Sequence, residues 1–260
     1  MNKPICKAKA LLFPILILSL VLASCTEKAT PPSSAASPTP SAPSSPLTRI
    51  QLLGHSSFLV TSSDGTRIIT DPYAVSSSIS YAPITETADI VTVSHEHSDH
   101  NNVVAVKGTP EVVRSTKIVK GIEFKGIATF HDDAQGTKRG NNTVICFTVD
   151  GVRFCHLGDL GHRLSPEQIA EIGKVDILFI PVGGLFTIDA EMAIQICNDL
   201  KPRVAIPMHF KTLKVGFALA GVEDFLKGKQ SVRRLNSSVF EFRSGELPSA
   251  TEIVVLDSAK

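Results

Sequence analysis

The chain has 260 residues, 43% of them hydrophobic, which suffices for one large domain with a full core or at most two small ones. A formal net charge of +1 with no long basic run leaves no electrostatic footprint for nucleic acid, so no nucleic-acid partner is expected. In chain order, Lys3, Lys7 and Lys9 precede the apolar stretch LLFPILILSLVLA, which runs into LASC. A basic start, a short apolar middle and small residues at the end have the form of an export signal. A spanning helix needs about 20 apolar residues, whereas this run is shorter and contains Pro14. The following TEKATPPSSAASPTPSAPSSP has no large apolar side chain to bury and reads as an extended tether. The folded domain therefore begins near Leu47.

From Arg49 onward, short β-rich runs alternate with helical stretches, which predicts an α/β or mixed architecture. The predicted strands are RIQLLG, SFLVTS, RIITD, DIVTVS, GIATF, TVICFTV, VRFCHL, DILFIPV, RVAIPM and EIVVL. Asp150-Gly151 is the strongest hairpin signal in the chain. Counting outward from it sets Cys146 opposite Cys155, within disulfide range. A bonded pair and two small buried apolar side chains both fit that register. Ser165 with Pro166 and Gln168 predicts a capped helix start, and Gly173 its stop. A second helix is expected from Asp189 to Leu200, ended by Pro202.

Polar residues recur where the strands end. DIVTVS runs into His95, His97, Asp99 and His100; GIATF into His131; VRFCHLG into Asp159; RVAIPM into His209. Loops leaving buried strands converge at one edge of a sheet, where sites are built. Imidazole and carboxylate donors without thiolate suit zinc, or else manganese or iron. Residues two apart in an extended segment point the same way, so His95 and His97 can grip one ion together. Asp99 and His100 are displaced toward a second.

HEHSDH resembles the H-x-H-x-D-H motif of the metallo-β-lactamase superfamily, and TDP at Asp71, His131, GDLGH at Asp159 and MHF at His209 occur in the family's order. GHSSFLV, HDDAQGTKRGNN, HLGDLGH, PVGGLFTIDAEMA and IPMHF look like its hydrolase branch related to ascorbate-6-phosphate lactonase. The resemblance implies a four-layer αββα sandwich over residues 48–258 and two divalent ions. His95, His97 and His131 would hold the first, Asp99, His100 and His209 the second, and Asp159 would bridge them. Asp132 and Asp133 read as solvated loop charges, or else as rival donors to His131. Asp71 would accept a hydrogen bond from a ligating histidine and fix its tautomer.

The mechanism implied is hydrolysis by a metal-bridging hydroxide, since coordination lowers the pKa of water to about 7. The ions leave the site net positive after Asp99, Asp159 and the hydroxide are counted, which favours a small anionic or polarised substrate: an ester, lactone, amide or phosphoester. His55 and His162 are candidate proton donors or else residues that orient a neighbour. Arg139 and Lys211 are candidate anion binders. The alternative is a metal-binding lipoprotein of the same fold without turnover. Leu22 to Cys25 resembles a bacterial lipobox, implying a signal peptide over residues 1–24, a lipidated Cys25, a linker over 25–47, and an exported, extracytoplasmic protein held on a membrane by its lipid.

Overall fold

The computed structural model describes residues 45–259; the signal segment, Cys25 and most of the linker lie outside the described residues. In chain order the strands are β1 (Leu47–Gly54), β2 (Ser57–Thr61), β3 (Arg67–Thr70), β4 (Ile90–Thr92), β5 (Glu111–Val113), β6 (Lys117–Val119), β7 (Ile122–Phe130), β8 (Asn141–Val149) and β9 (Val152–His156). Helix α1 (Pro166–Ile172), β10 (Ile177–Pro181), α2 (Ala190–Leu200), β11 (Val204–Met208), α3 (Glu223–Leu226), β12 (Val232–Arg234), β13 (Val239–Arg243) and β14 (Glu252–Val255) follow. They form a six-stranded sheet, β13-β1-β2-β3-β4-β5, and an eight-stranded sheet, β12-β14-β11-β10-β9-β8-β7-β6.

The two sheets face each other across an apolar interior. Ile50, Phe58, Ile68 and Ile90 of the smaller sheet meet Phe147, Phe154, Phe179 and Ile206 of the larger. Phe58 stacks on Phe179 with centroids 4.1 Å apart, and Phe147 on Phe154 at 5.1 Å. Each fully buried ring of this kind stabilises the fold by about 1.5–3 kcal/mol. The strands β9, β10 and β11 are parallel, and β10 and β11, buried on both faces, read as unbroken apolar runs.

The outer face of the eight-stranded sheet is covered by the helices, with Ile172, Ala193, Ile196 and Phe225 packed against Val144, Leu178 and Ala205. The outer face of the six-stranded sheet is covered differently. Tyr73, Tyr81, Ile84, Val106, Val215 and Leu219 lie over it, carried by loops and a short 3-10 turn at Val103–Ala105. The expected four layers are thus present, with the outermost one on this side built from loops.

Local signals account for the elements. Ser165 Oγ accepts from Gln168 N while Ser165 N donates to the Gln168 side chain, the capping box of α1, and Gly173 stops the helix at φ +68°. Asp189 caps α2 through Met192 N, and Lys201 ends it in the left-handed region ahead of Pro202. Asp150 and Gly151 turn β8 into β9 with φ of +53° and +73°, and Cys146 faces Cys155 as two free, buried thiols.

Candidate metal centre

Every strand that ends in a candidate ligand opens on the same edge. Asp71 follows β3 and His95 to His100 follow β4, two parallel neighbours; His131, Asp159 and His209 follow β7, β9 and β11 of the other sheet. Backbone bonds join the sheets here: Thr143 N donates to Ser94 O at 2.9 Å and His209 N to His55 O at 3.3 Å. His55, Asp71 and His209 are non-glycine residues at φ of +52°, +37° and +50°, a strained conformation that concentrates at functional sites. Gly158, just before Asp159, has room for no side chain because a Cβ would run into Asn142 and Ser94.

Asp159 is the centre of the cluster. Its Oδ2 lies 3.1 Å from Nε2 of His131, 3.2 Å from that of His100, 3.3 Å from that of His209 and 3.8 Å from that of His95. His95, His97 and His131 form one compact trio with ring centroids 4.8 to 5.0 Å apart. Asp99, His100 and His209 form a second group, and His55 belongs to it. The structure therefore brings together all seven residues named as ligands.

Beneath the cluster, Asp71 orders two imidazoles. Ser94 N donates to its Oδ1 at 2.8 Å, while Ser94 Oγ and His100 Nδ1 both reach its Oδ2, at 2.5 and 2.9 Å. Because the Ser94 proton goes to Asp71, His95 Nδ1, 2.9 Å from Ser94 Oγ, must be the donor there. Both rings thus carry hydrogen on Nδ1 and turn Nε2 toward Asp159. Asn142 completes the support by accepting from Asp159 N at 2.9 Å and donating to Leu157 O at 2.9 Å. Sequence reasoning missed Ser94 and Asn142. Position beside His95 was a signal for the first, and nothing in the pattern marked the second.

The electrostatics suit a cation. Burial pushes His95 down to about 3 and His55 to about 4, and lowers His97, so these imidazoles offer lone pairs at neutral pH. Burial would raise Asp159, but His100 and His209 outweigh it and hold the carboxylate well below its usual range. His100 is held high despite burial because Asp159 and Asp71 flank it. Nε2 of His95 and of His100 and Oδ1 of Asp159 are buried without a hydrogen-bond partner among the described residues. Inward-facing donors left unpaired in this way fit a divalent ion, since burying them for nothing is costly.

Other expectations are redrawn. Asp132 and Asp133 are not rivals of His131. Asp132 is buried and accepts the backbone amides of Ala134, Gly136, Lys138 and Arg139 at 2.7 to 2.9 Å, while Asp133 pairs with Lys138 in solvent. His162 accepts from Phe130 N at 3.1 Å through Nε2 and bonds Arg163 O through Nδ1 at 2.8 Å, so neither nitrogen is left to move a proton. It instead anchors the end of β7, one residue before His131. Lys211 is tied to the carbonyls of Val215 and Phe217, and does not line the pocket.

A cavity of about 250 Å³ opens onto the cluster, with His97, Asp99, His131, Asp159 and His209 on its floor. Arg139, Phe186 and Phe217 form its wall. The Arg139 guanidinium lies 5.4 Å over the Phe186 ring, and Phe186 meets Phe217 edge-on at 5.2 Å.

The comparisons with known proteins agree with this geometry. Residues 49–209 match the family described as the beta-lactamase superfamily domain. The chain is 29% identical over 196 residues to a metal-dependent hydrolase of Carboxydothermus hydrogenoformans, covering 64% of this chain and 86% of that protein. It is 28% identical over 228 residues to one from Korarchaeum cryptofilum, covering 77% and 98%. A crystal structure from Thermotoga maritima, of a candidate zinc-dependent hydrolase of the metallo-β-lactamase superfamily, superposes with a TM-score of 0.68 at 38% identity, over 81% of this chain and 99% of that one. A metal-dependent hydrolase candidate from Parabacteroides distasonis shares the fold, with a TM-score of 0.56 at 18% identity over 81% and 93%. With its matched domain, its two facing sheets and its donors gathered at one edge, the chain belongs to the metallo-β-lactamase superfamily, among the metal-dependent hydrolases.

Proposed function

We propose that the protein is a dinuclear metallohydrolase acting on a small substrate that carries an anionic group. The observation that carries this reading is Asp159 Oδ2 standing within 3.8 Å of imidazoles from three other loops. His95, His97 and His131 would hold one ion, Asp99, His100 and His209 the other, with Asp159 between them. When bound, two divalent ions supply a hydroxide nucleophile near neutral pH and polarise the scissile carbonyl or phosphoryl oxygen. Zinc suits this donor set best, with manganese or iron as the other candidates.

The chain's own groups do the rest. Asp71 and Ser94 fix the imidazole tautomers, so the donors are set before substrate arrives. Arg139 has no carboxylate partner among the described residues and presents its guanidinium at the pocket wall, where it would grip a carboxylate or phosphate. Phe186 and Phe217 exclude water from the apolar part of the substrate and strengthen the charged contacts beside them. An ester, lactone, amide or phosphoester bearing such a group fits. A cavity reaching Asp159 favours turnover over passive metal storage. The order of Lys3, Lys7 and Lys9, an apolar run and LASC supports export and anchoring through a lipid on Cys25.

Elemental analysis of the full-length protein beside Asp159→Ala and His97→Ala tests the metal reading. About two equivalents of a transition metal, falling sharply in both variants, is the expected result. A wild-type protein that holds none after reconstitution above pH 7 would overturn it.

A further inference from the structure

His55 is a candidate proton donor or else an orienting residue by sequence, and its surroundings argue against proton transfer. Its side chain is fully buried, and it does not line the cavity that opens on Asp159. Both ring nitrogens are buried without a hydrogen-bond partner among the described residues. Its Nε2 approaches Asp99 Oδ2 to 3.4 Å without the alignment of a hydrogen bond. Its ring lies 4.2 Å from that of His209 and 5.4 Å from that of His100. The imidazoles of the other trio, His95, His97 and His131, are spaced 4.8 to 5.0 Å apart, a comparable set. Donor atoms bound about 2.0–2.2 Å from one ion stand about 3–4 Å from each other, and the 3.4 Å approach falls in that range.

We infer that His55 is a further ligand of the second ion, giving that position three imidazoles and two carboxylates where the first has three imidazoles and one carboxylate. The inference rests on the dinuclear reading and sharpens it by making the two positions unequal. The first has four protein donors, one of them shared, and a fifth position would be left for hydroxide. The second, with five protein donors, suits an ion that accepts five or six, such as manganese, iron, cobalt or five-coordinate zinc. The φ of +52° at His55 is then the strain of turning a bulky side chain from the β1–β2 corner into the cluster. Without a ligand role, a buried imidazole with both nitrogens unpaired would cost stability for no return.

Cobalt(II) titration of the full-length protein, followed by visible absorption, tests this beside His55→Gly and His55→Asn. Glycine and asparagine both tolerate the positive φ, so neither variant strains the corner. Wild-type protein should take up two equivalents. In both variants the first equivalent should bind unchanged, while the second binds at least about tenfold more weakly and with an altered absorption spectrum, reporting a lost imidazole. Added imidazole should restore both in His55→Gly, because a second cavity, of about 360 Å³, borders His55 and gives it access. A second equivalent with the wild-type spectrum, whatever its affinity, would overturn the inference and leave His55 acting only through Asp99. A wild-type protein that binds fewer than two equivalents would instead sink the dinuclear reading itself.

Discussion

The floor and the wall of the pocket are built on opposite plans. The floor is made of short strand ends braced by Asp71, Ser94 and Asn142, with His131, Asp159 and His209 buried and His97 and Asp99 facing the opening. The wall hangs on two loops, residues 131–140 and 183–188, and on the segment 211–220, the first and the last each gathered by a side chain bonded to backbone. Asp132 gathers the first by four amides, and Lys211 holds the last through the carbonyls of Val215 and Phe217. A rigid floor suits metal binding, where donors must already stand in place. A wall carried on loops can change between relatives without disturbing the ions, and so is where substrate choice is made.

The comparison is broken most severely from below. Asp71→Asn keeps the residue's size and tolerates φ of +37°, yet it removes one of the two oxygens that order Ser94, His95 and His100. Metal affinity should fall by about 10–100-fold, measured by competition with a chelator. A variant that holds metal as tightly as wild type would show that the floor does not depend on that carboxylate.

The wall is tested at Arg139. Once a substrate is in hand, Arg139→Ala should raise KM about tenfold or more and leave metal content unchanged, since one charged hydrogen-bonded contact contributes about 1.5–3 kcal/mol. Arg139→Lys should recover part of the loss, keeping the charge without the planar fork. Equal loss of bound metal in Arg139→Ala would mean that floor and wall are one unit.

The two regions also differ in how far the sequence revealed them. His95 to His100 are legible because fixed spacing after an apolar run is a local signal, and all seven proposed ligands meet at one edge. The ten predicted strands are found, as are both predicted helices with their caps. Strands β5, β6, β12 and β13 escaped: the first three have only three residues each, too few to show a period, whereas the alternation of VFEFR in β13 was a legible signal that was missed. Phe186 and Phe217 escaped because nothing in a loop sequence says which side chains will touch across 31 positions of chain. His162 misled for a related reason: it stands beside GDLG, and only the fold shows its nitrogens spent on Phe130 and Arg163. Asp132 looked like solvated loop charge, and its real work lies in backbone amides that no side-chain pattern records.

That carboxylate gives the smallest and most specific effect. Burial would raise the Asp132 carboxyl, but the amides of Arg139, Ala134, Gly136 and Lys138 outweigh it and hold it down to about 2. A folded value below the unfolded one, about 3.9, means that ionised Asp132 stabilises the native state above that pH, and that this stabilisation disappears as pH falls toward 2. Asp132→Asn should therefore be less stable than wild type at neutral pH, with the gap closing below about pH 4, read from denaturant midpoints across that range. Both proteins share every other titrating group, so the difference between them isolates this residue. At neutral pH the same variant should weaken substrate binding in the direction of Arg139→Ala, because the amide of Arg139 is one of those that Asp132 holds. A variant that loses stability with KM unchanged would separate the two, leaving Asp132 to the fold and Arg139 to stand at the wall without its help.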